Sequence, residues 1–296
     1  HLEFGEEKVT MAVTISLTNN GKTLTRVVEF EAAMVEPTIE TITIEEARKA
    51  AKGEKVTIEG YIVGFLYLAG TSKPAGFELI DDTSSIAVFV STAVDTNTDI
   101  TKLSIGEFVY VEGYGDLYQP REDHNHTGSI RLNNAEVLYH DWQEHELPTH
   151  AIEEVVFKDL VNNPSDNNIT NMVFKTQIYV ERSSGSYVNY YIHDIHDPSL
   201  STIVYSQNSG KNGPAEYEWL KPYAGKCVEA YVTLRIGAVS SGKFIWKAGV
   251  LQVLGEVDTP EALVGYFEKT KIEGLFDNEY ADSAVIEYEE LEGRKI

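Results

Sequence analysis

The sequence predicts an all-β protein built from two tandem five-stranded barrels, with β segments at either end. Three observations predict it. Short alternating runs of apolar and polar residues recur along the chain, bounded by turn residues. The same order of five runs occurs twice. Each copy also has a longer segment between its third and fourth runs, and in the second copy that segment contains Pro214–Lys221, PAEYEWLK, which suits one or two helical turns.

The elements follow in order. Val9–Leu17 and Thr23–Phe30 alternate with period two around Asn19-Asn20-Gly21-Lys22, a strong hairpin signal. Pro37 begins a connector. Thr43–Lys52, TIEEARKAAK, reads as a short helix with Thr43 as N-cap, Glu46 completing a capping box, and Gly53 as the stop. Five strands are expected next: Lys55–Val63, Phe77–Ile80, Ile86–Val90, Phe108–Tyr114 and Ser129–Tyr139. Phe174–Val180, Asn189–Ile195, Leu200–Ser206, Ala224–Thr233 and Phe244–Leu254 echo them one by one. Thr259-Pro260-Glu261 opens a further helix, with Pro at the first helical position, and Ser283–Tyr288 looks like a strand. The implied organisation is a hairpin over 1–36, barrels over 37–140 and 150–256, a linker over 141–149, and a helix and strand over 257–296.

Five strands with a helical segment between the third and fourth is the OB-fold order. In the first copy, GFELIDDTSSIAVFV ends its second strand in an Asp-rich turn at Asp81, and IGEFVYVEGY carries Gly106, Val109, Val111 and Gly113. These motifs resemble the OB-fold modules of secreted and cell-surface multidomain bacterial proteins. The resemblance is good over 40–140 and looser over 150–255, where Val232 replaces the last glycine and His193 precedes Asp194. The opening hairpin resembles the last strands of an immunoglobulin-like module, and the final segment the start of a further domain. The resemblance implies a secreted or surface-attached protein with neighbouring domains.

Charge sorts the partners. Asp and Glu number 47 against 24 Lys and Arg, for a net charge of −23. A duplex-binding protein presents a basic face to phosphates, and the chain as a whole repels them. Residues 150–256 alone are near neutral, at about −2. No run reaches the ~20 apolar residues of a membrane helix. A single cysteine, Cys227, forms no internal disulfide and sits at the repeat position of Phe108, which predicts a buried thiol.

No catalytic motif is present, and no cofactor is implied. Asp81 and Asp82 lie in a turn, where Asp and Ser side chains bond their own backbone. His124 and His126 could place two imidazoles on one side of a polar loop and form the fallback metal site; an exposed polar loop joining strands four and five is the preferred reading. His145 and His150 miss metalloprotease spacing by one residue, with Pro148 between them. His193 and His196 fit a solvated turn beside Asp194 and Asp197.

The more specific constellation comes from strand parity. If Val56, Ile58, Phe77, Leu79, Ile86 and Val88 fill the first barrel, then Tyr61, Ile80 and Phe89 face out. The same register puts Ile178, Ile192 and Val204 inside the second barrel. Tyr179, Tyr191, His193 and Tyr205 then share its outer face, with Lys247 among the nearby cations. Those rings either receive an extended polymer or pack against the other barrel and the terminal segments. The reading is a non-catalytic module that positions neighbouring domains and binds an oligosaccharide or protein ligand. Single-stranded nucleic acid on the second barrel and a plain spacer are the alternatives.

Overall fold

The computed structural model describes residues 8–33, 39–67, 74–90, 99–118, 128–161, 167–183, 188–204, 215–240, 243–261 and 263–267. It divides into His1–Glu40 and Thr41–Ile296. The first unit is an antiparallel hairpin of β1 (Lys8–Asn19) and β2 (Lys22–Ala33). Its turn holds Asn20 at φ 50° and Gly21 at φ 76°, the two left-handed positions that an Asn-Gly pair adopts at least cost.

The second unit holds both barrels. In barrel 1, β3 (Lys55–Tyr67), β4 (Pro74–Ile80), β5 (Ser85–Val90), β6 (Glu107–Tyr118) and β7 (Ser129–Glu144) close in the order β3-β4-β5-β7-β6. The β5–β7 pairing is parallel. Barrel 2 repeats this order. Its strands are β9 (Val173–Arg182), β10 (Tyr190–Asp194), β11 (Ser201–Val204), β12 (Cys227–Ser240) and β13 (Lys243–Glu256). They pair as β9-β10-β11-β13-β12, and β12 pairs back to β9. A two-residue strand, β8 (Glu153–Glu154), lies parallel beside β9. The 3-10 segments Ile100–Lys102 and Ala215–Tyr223 occupy the expected place between third and fourth strands. This is the OB strand order, twice.

Strand parity holds. Val56, Ile58, Phe77, Leu79, Ile86 and Val88 fill barrel 1, and Ile178, Ile192 and Val204 join Trp246 in barrel 2. Two local expectations are corrected. The first helix, α1, is one turn, Ile44–Ala47, rather than running to Lys52. Beyond Ala47 the backbone tightens, with Lys49 N donating to Glu46 O and Ala50 N to Ala47 O. The capping box at Thr43 and Glu46 is formed. The segment after 140 is not all linker either. β7 continues to Glu144 because Glu144 pairs with Glu107, and His145 N then bonds Gly106 O.

Each barrel is opened by a short helix, and one carboxylate in the β-turn holds it. Asp81 Oδ1 accepts from Thr83 N at 2.7 Å and Ser84 N at 2.9 Å, while Oδ2 accepts from Ile44 N of α1 at 2.7 Å. Asp194, its counterpart in the repeat, accepts from His196 N and Asp197 N at 2.8 Å and from Lys158 N at 2.7 Å. Lys158 lies in α2 (Phe157–Val161). A charged acceptor at a helix start satisfies donors that the helix itself cannot.

Arg48, just after α1, bridges the barrels. Its guanidinium donates to Ser85 O at 2.8 Å in barrel 1, and to Asn168 O, Thr170 O at 2.9 Å and Asn171 O at 3.3 Å before β9. Val173 N donates to Ser85 Oγ at 2.7 Å, and Gln252 Nε2 to Val63 O at 2.6 Å. Between these bonds lies an apolar seam. Val63, Leu66, Ile80 and Ala87 of barrel 1 meet Val173, Tyr231 and Leu251 of barrel 2, with Tyr61 and Phe89 packed at its margin.

Candidate functional site

The outer face of the first three strands is where OB barrels commonly take ligands. In barrel 1 that face is consumed by the seam. Ile80 is fully buried there, and Tyr61 and Phe89 are half-buried. The alternation of β3, β4 and β5 made these residues legible as outward-facing; what covers them was not legible.

In barrel 2 the predicted residues are only partly brought together. Tyr179 and His193 are register partners, with ring centroids 5.9 Å apart. Phe267, in the helical residues 263–267, lies 4.6 Å from the Tyr179 ring and 5.3 Å from His193. His193 is buried in β10 instead of lying in a solvated turn, and its ring nitrogens face Pro198 O at 2.9 Å and Glu181 Oε2 at 2.7 Å. Burial, with the Glu181 carboxylate adding to it, raises the Tyr179 phenol above its usual pKa. Tyr191 is half-buried and pairs with Glu181 and Ile203. Lys247, half-buried, pairs with Ile203 from the other side. Tyr205, His124 and His126 lie outside the described residues. The helical start at Thr259-Pro260 is thus joined to a ring that covers part of the proposed platform, and Ser283–Tyr288 is also outside the description.

The other predicted positions behave as local chemistry dictates. Cys227 is buried, pairs with Tyr179 as Phe108 pairs with Tyr61, and burial pushes its thiol pKa up. His145 Nε2 contacts Asp141 Oδ2 at 2.5 Å, and His150 lies 3.3 Å from Asp82. Among the described residues, no group of three metal-ligating side chains converges.

A different feature emerges at the junction of the barrels. A groove of about 300 Å³ is lined by Phe65 and Tyr67 from the end of β3, by Tyr217, Trp219 and Tyr223 from the 3-10 segment, and by Val250–Val253 of β13. That volume is at the small end of ligand sites. Trp219 is 38% exposed, Tyr217 is buried beneath it, and their ring centroids are 6.5 Å apart. Among the described residues lining the groove there is no carboxylate, although the chain carries 47. Sequence reading missed these rings because Tyr217, Trp219 and Tyr223 lie outside the strands and Phe65 and Tyr67 lie beyond the expected end of β3 at Val63. The aromatic density of YEWLKPY, read there only as helical turns, was the available signal.

The cations of barrel 2 are largely occupied. Lys221 pairs with Glu218 at 3.0 Å, Lys226 with Glu256 at 2.5 Å, and Arg235 lies 3.9 Å from Glu78. Lys175 stands between Glu154 and Glu229. A phosphate backbone would compete with these carboxylates for every one of them.

Fold and groove together define a tandem OB-type protein. No family model and no curated protein matches the chain. Among solved structures, a murine DNA-binding protein bound to double-stranded DNA is 11% identical over 66% of this chain and 98% of its own, with a TM-score of 0.34. A replication protein A heterotrimer bound to single-stranded DNA is 8% identical over 82% of this chain and 76% of its own, with a TM-score of 0.22. Likeness of that order carries no argument about ligand or mechanism; the fold rests on the strand order itself.

Proposed function

We propose that the chain is a non-catalytic OB-type module of a secreted or surface-attached protein, and that it binds single-stranded nucleic acid by stacking bases in the groove between its barrels. The observation that carries this reading is the groove: five aromatic side chains from both barrels, with no carboxylate among its described lining, in a strongly acidic chain. Base–ring stacking is worth about 1–3 kcal/mol per base and tolerates any sequence. Two stacked bases give modest affinity without many phosphate contacts. Because the cations near the groove are already paired, the salt slope is shallow, fewer than about two phosphate equivalents. Duplexes hide their bases and bind negligibly.

A second reading, a rigid spacer between domains, is favoured by the burial of barrel 1's outer face in the seam. The two are separated by fluorescence anisotropy with a labelled oligonucleotide at ~150 mM salt, comparing the chain with a Trp219→Ala, Tyr67→Ala double variant. Binding lost in the variant supports the groove. Equal binding by both forms moves the site elsewhere. No binding by either, followed by retention on an oligosaccharide array, makes the ligand a sugar; silence in both assays leaves the spacer.

A further inference from the structure

Glu78 lies in β4 at the heart of the seam with no exposed surface. Its register partners are Gly64 on β3 and Ala87 on β5. The core alternation of β4, with Phe77 and Leu79 inside barrel 1, aims Glu78 at barrel 2. Neither carboxylate oxygen has a hydrogen-bond partner among the described residues. Arg235 on β12 is the nearest cation, with Nη2 at 3.9 Å from Oε1, and its Nε is also buried without a partner. Arg48 adds its charge from beyond α1 but spends its donors on carbonyls. A carboxyl group and a guanidinium therefore face each other across the seam without completing a hydrogen bond. β3 and β5 contribute no ionisable group beside Glu78, since their partners there are Gly64 and Ala87.

We propose that Glu78 is a proton-operated switch in the barrel junction: neutral in the packed seam, and on losing its proton drawn into a bonded ion pair with Arg235 that shifts the β12–β13 ribbon behind the aromatic groove. The mechanical link is short. A Cβ on Gly64, the register partner of Glu78, would lie 2.9 Å from Leu251 Cβ, and Leu251 lines the groove. A Cβ on Gly249 would lie 3.1 Å from Arg235 Nε, so the Arg235 side chain packs directly on the β13 backbone at a residue without a side chain. Burial raises the Glu78 pKa to about 7, with Arg235 and then Arg48 opposing the rise, so the proton is exchanged near neutrality. Deprotonation is a simple transfer to solvent or buffer and leaves the carboxylate charged beside the guanidinium.

The switch itself does not depend on the nucleic-acid reading; its consequence for ligand binding rests on it. The test uses the full chain labelled with fluorotryptophan, titrated from about pH 5 to pH 9, with the Trp219 resonance assigned through Trp219→Phe. Infrared difference spectra follow the protonated carboxyl band over the same range. The expected result is a carboxyl band that titrates near pH 7, a Trp219 shift with the same midpoint, and loss of both in Glu78→Gln. Arg235→Met keeps the carboxyl and must raise the midpoint, which preserves the test if Glu78→Gln fails to fold. A Glu78 already ionised at the acid end, or a titrating band with an unmoved Trp219 resonance, overturns the switch. Oligonucleotide affinity is read in parallel: absent binding at every pH refutes the nucleic-acid reading and leaves the spectroscopic result standing.

Discussion

Replacing Arg48 by Met keeps most of the side-chain volume and removes the guanidinium. Four main-chain carbonyls lose a charged donor: Ser85 of barrel 1, and Asn168, Thr170 and Asn171 leading into barrel 2. A hydrogen bond to a charged group is worth about 1.5–3 kcal/mol. The four share two nitrogens and a single side chain, so they do not add. Removing the shared donor leaves part-buried carbonyls short of a partner, which costs about 1–3 kcal/mol, and that is the expected loss. Because the bonds span the barrels, the loss falls on their union more than on either core. Urea unfolding followed by far-UV circular dichroism and by tryptophan fluorescence measures it. The parent should show coincident transitions, and Arg48→Met should bring a lower midpoint and divergence of the two probes. Lys49→Ala is the control: its pair with Glu45 is exposed at both ends and makes a negligible contribution. A loss below about 1 kcal/mol with the transitions still coincident would refute the clamp.

Three further outcomes follow from the geometry. Asp81→Ala and Asp194→Ala each remove a turn and a helix cap together, so each should cost about 1–2 kcal/mol in urea unfolding, and the two losses should add if the barrels use the device independently. Gly76→Ala should be far more damaging, since the new Cβ would stand 1.9 Å from Val88 O in the β4–β5 ladder; soluble, fully folded protein on gel filtration and circular dichroism would contradict it. Glu78 has its folded pKa raised from 4.5 to about 7, so its contribution to stability is fully present below 4.5 and lost as pH rises to about 7; that amounts to roughly 3 kcal/mol, and the urea midpoint of Glu78→Gln should gain on the parent over that window.

The fold was legible because strand alternation and turn chemistry are local. Val56, Ile58, Phe77 and Leu79 announce an inward face within a few residues of one another. Asp81 was legible as a turn residue for the same reason. Its bond to Ile44 N, 37 residues away, was not, although Asp194 repeats it. The candidate site was least legible. Parity places Tyr61, Ile80 and Phe89 outside barrel 1 but carries no word of Leu251 and Tyr231 opposite them. It places Tyr179 and His193 outside barrel 2 and is silent on Phe267. Three of the groove rings, Tyr217, Trp219 and Tyr223, belong to a 3-10 segment outside the strands, where register gives no guidance; Phe65 and Tyr67 lie at the end of β3, beyond the strand end read from the sequence.

The seam explains why a carboxylate at position 78 demands a role. Around it, Val63, Leu66, Ile80, Ala87, Val173 and Leu251 form an apolar contact that needs no charge to hold. A leucine at 78 would extend that contact, and replacing buried ion pairs by apolar residues is often neutral or stabilising. A carboxylate buried without a hydrogen bond costs stability, and more of it as pH rises towards neutrality. The repeat sharpens the contrast, because the counterpart of Glu78 in barrel 2 is Tyr191, which is half-buried and carries no charge. A junction built only to fix two barrels at one distance gains nothing from Glu78. A junction that must alter its seam near neutral pH needs a group of this kind, in this place, one strand away from the groove.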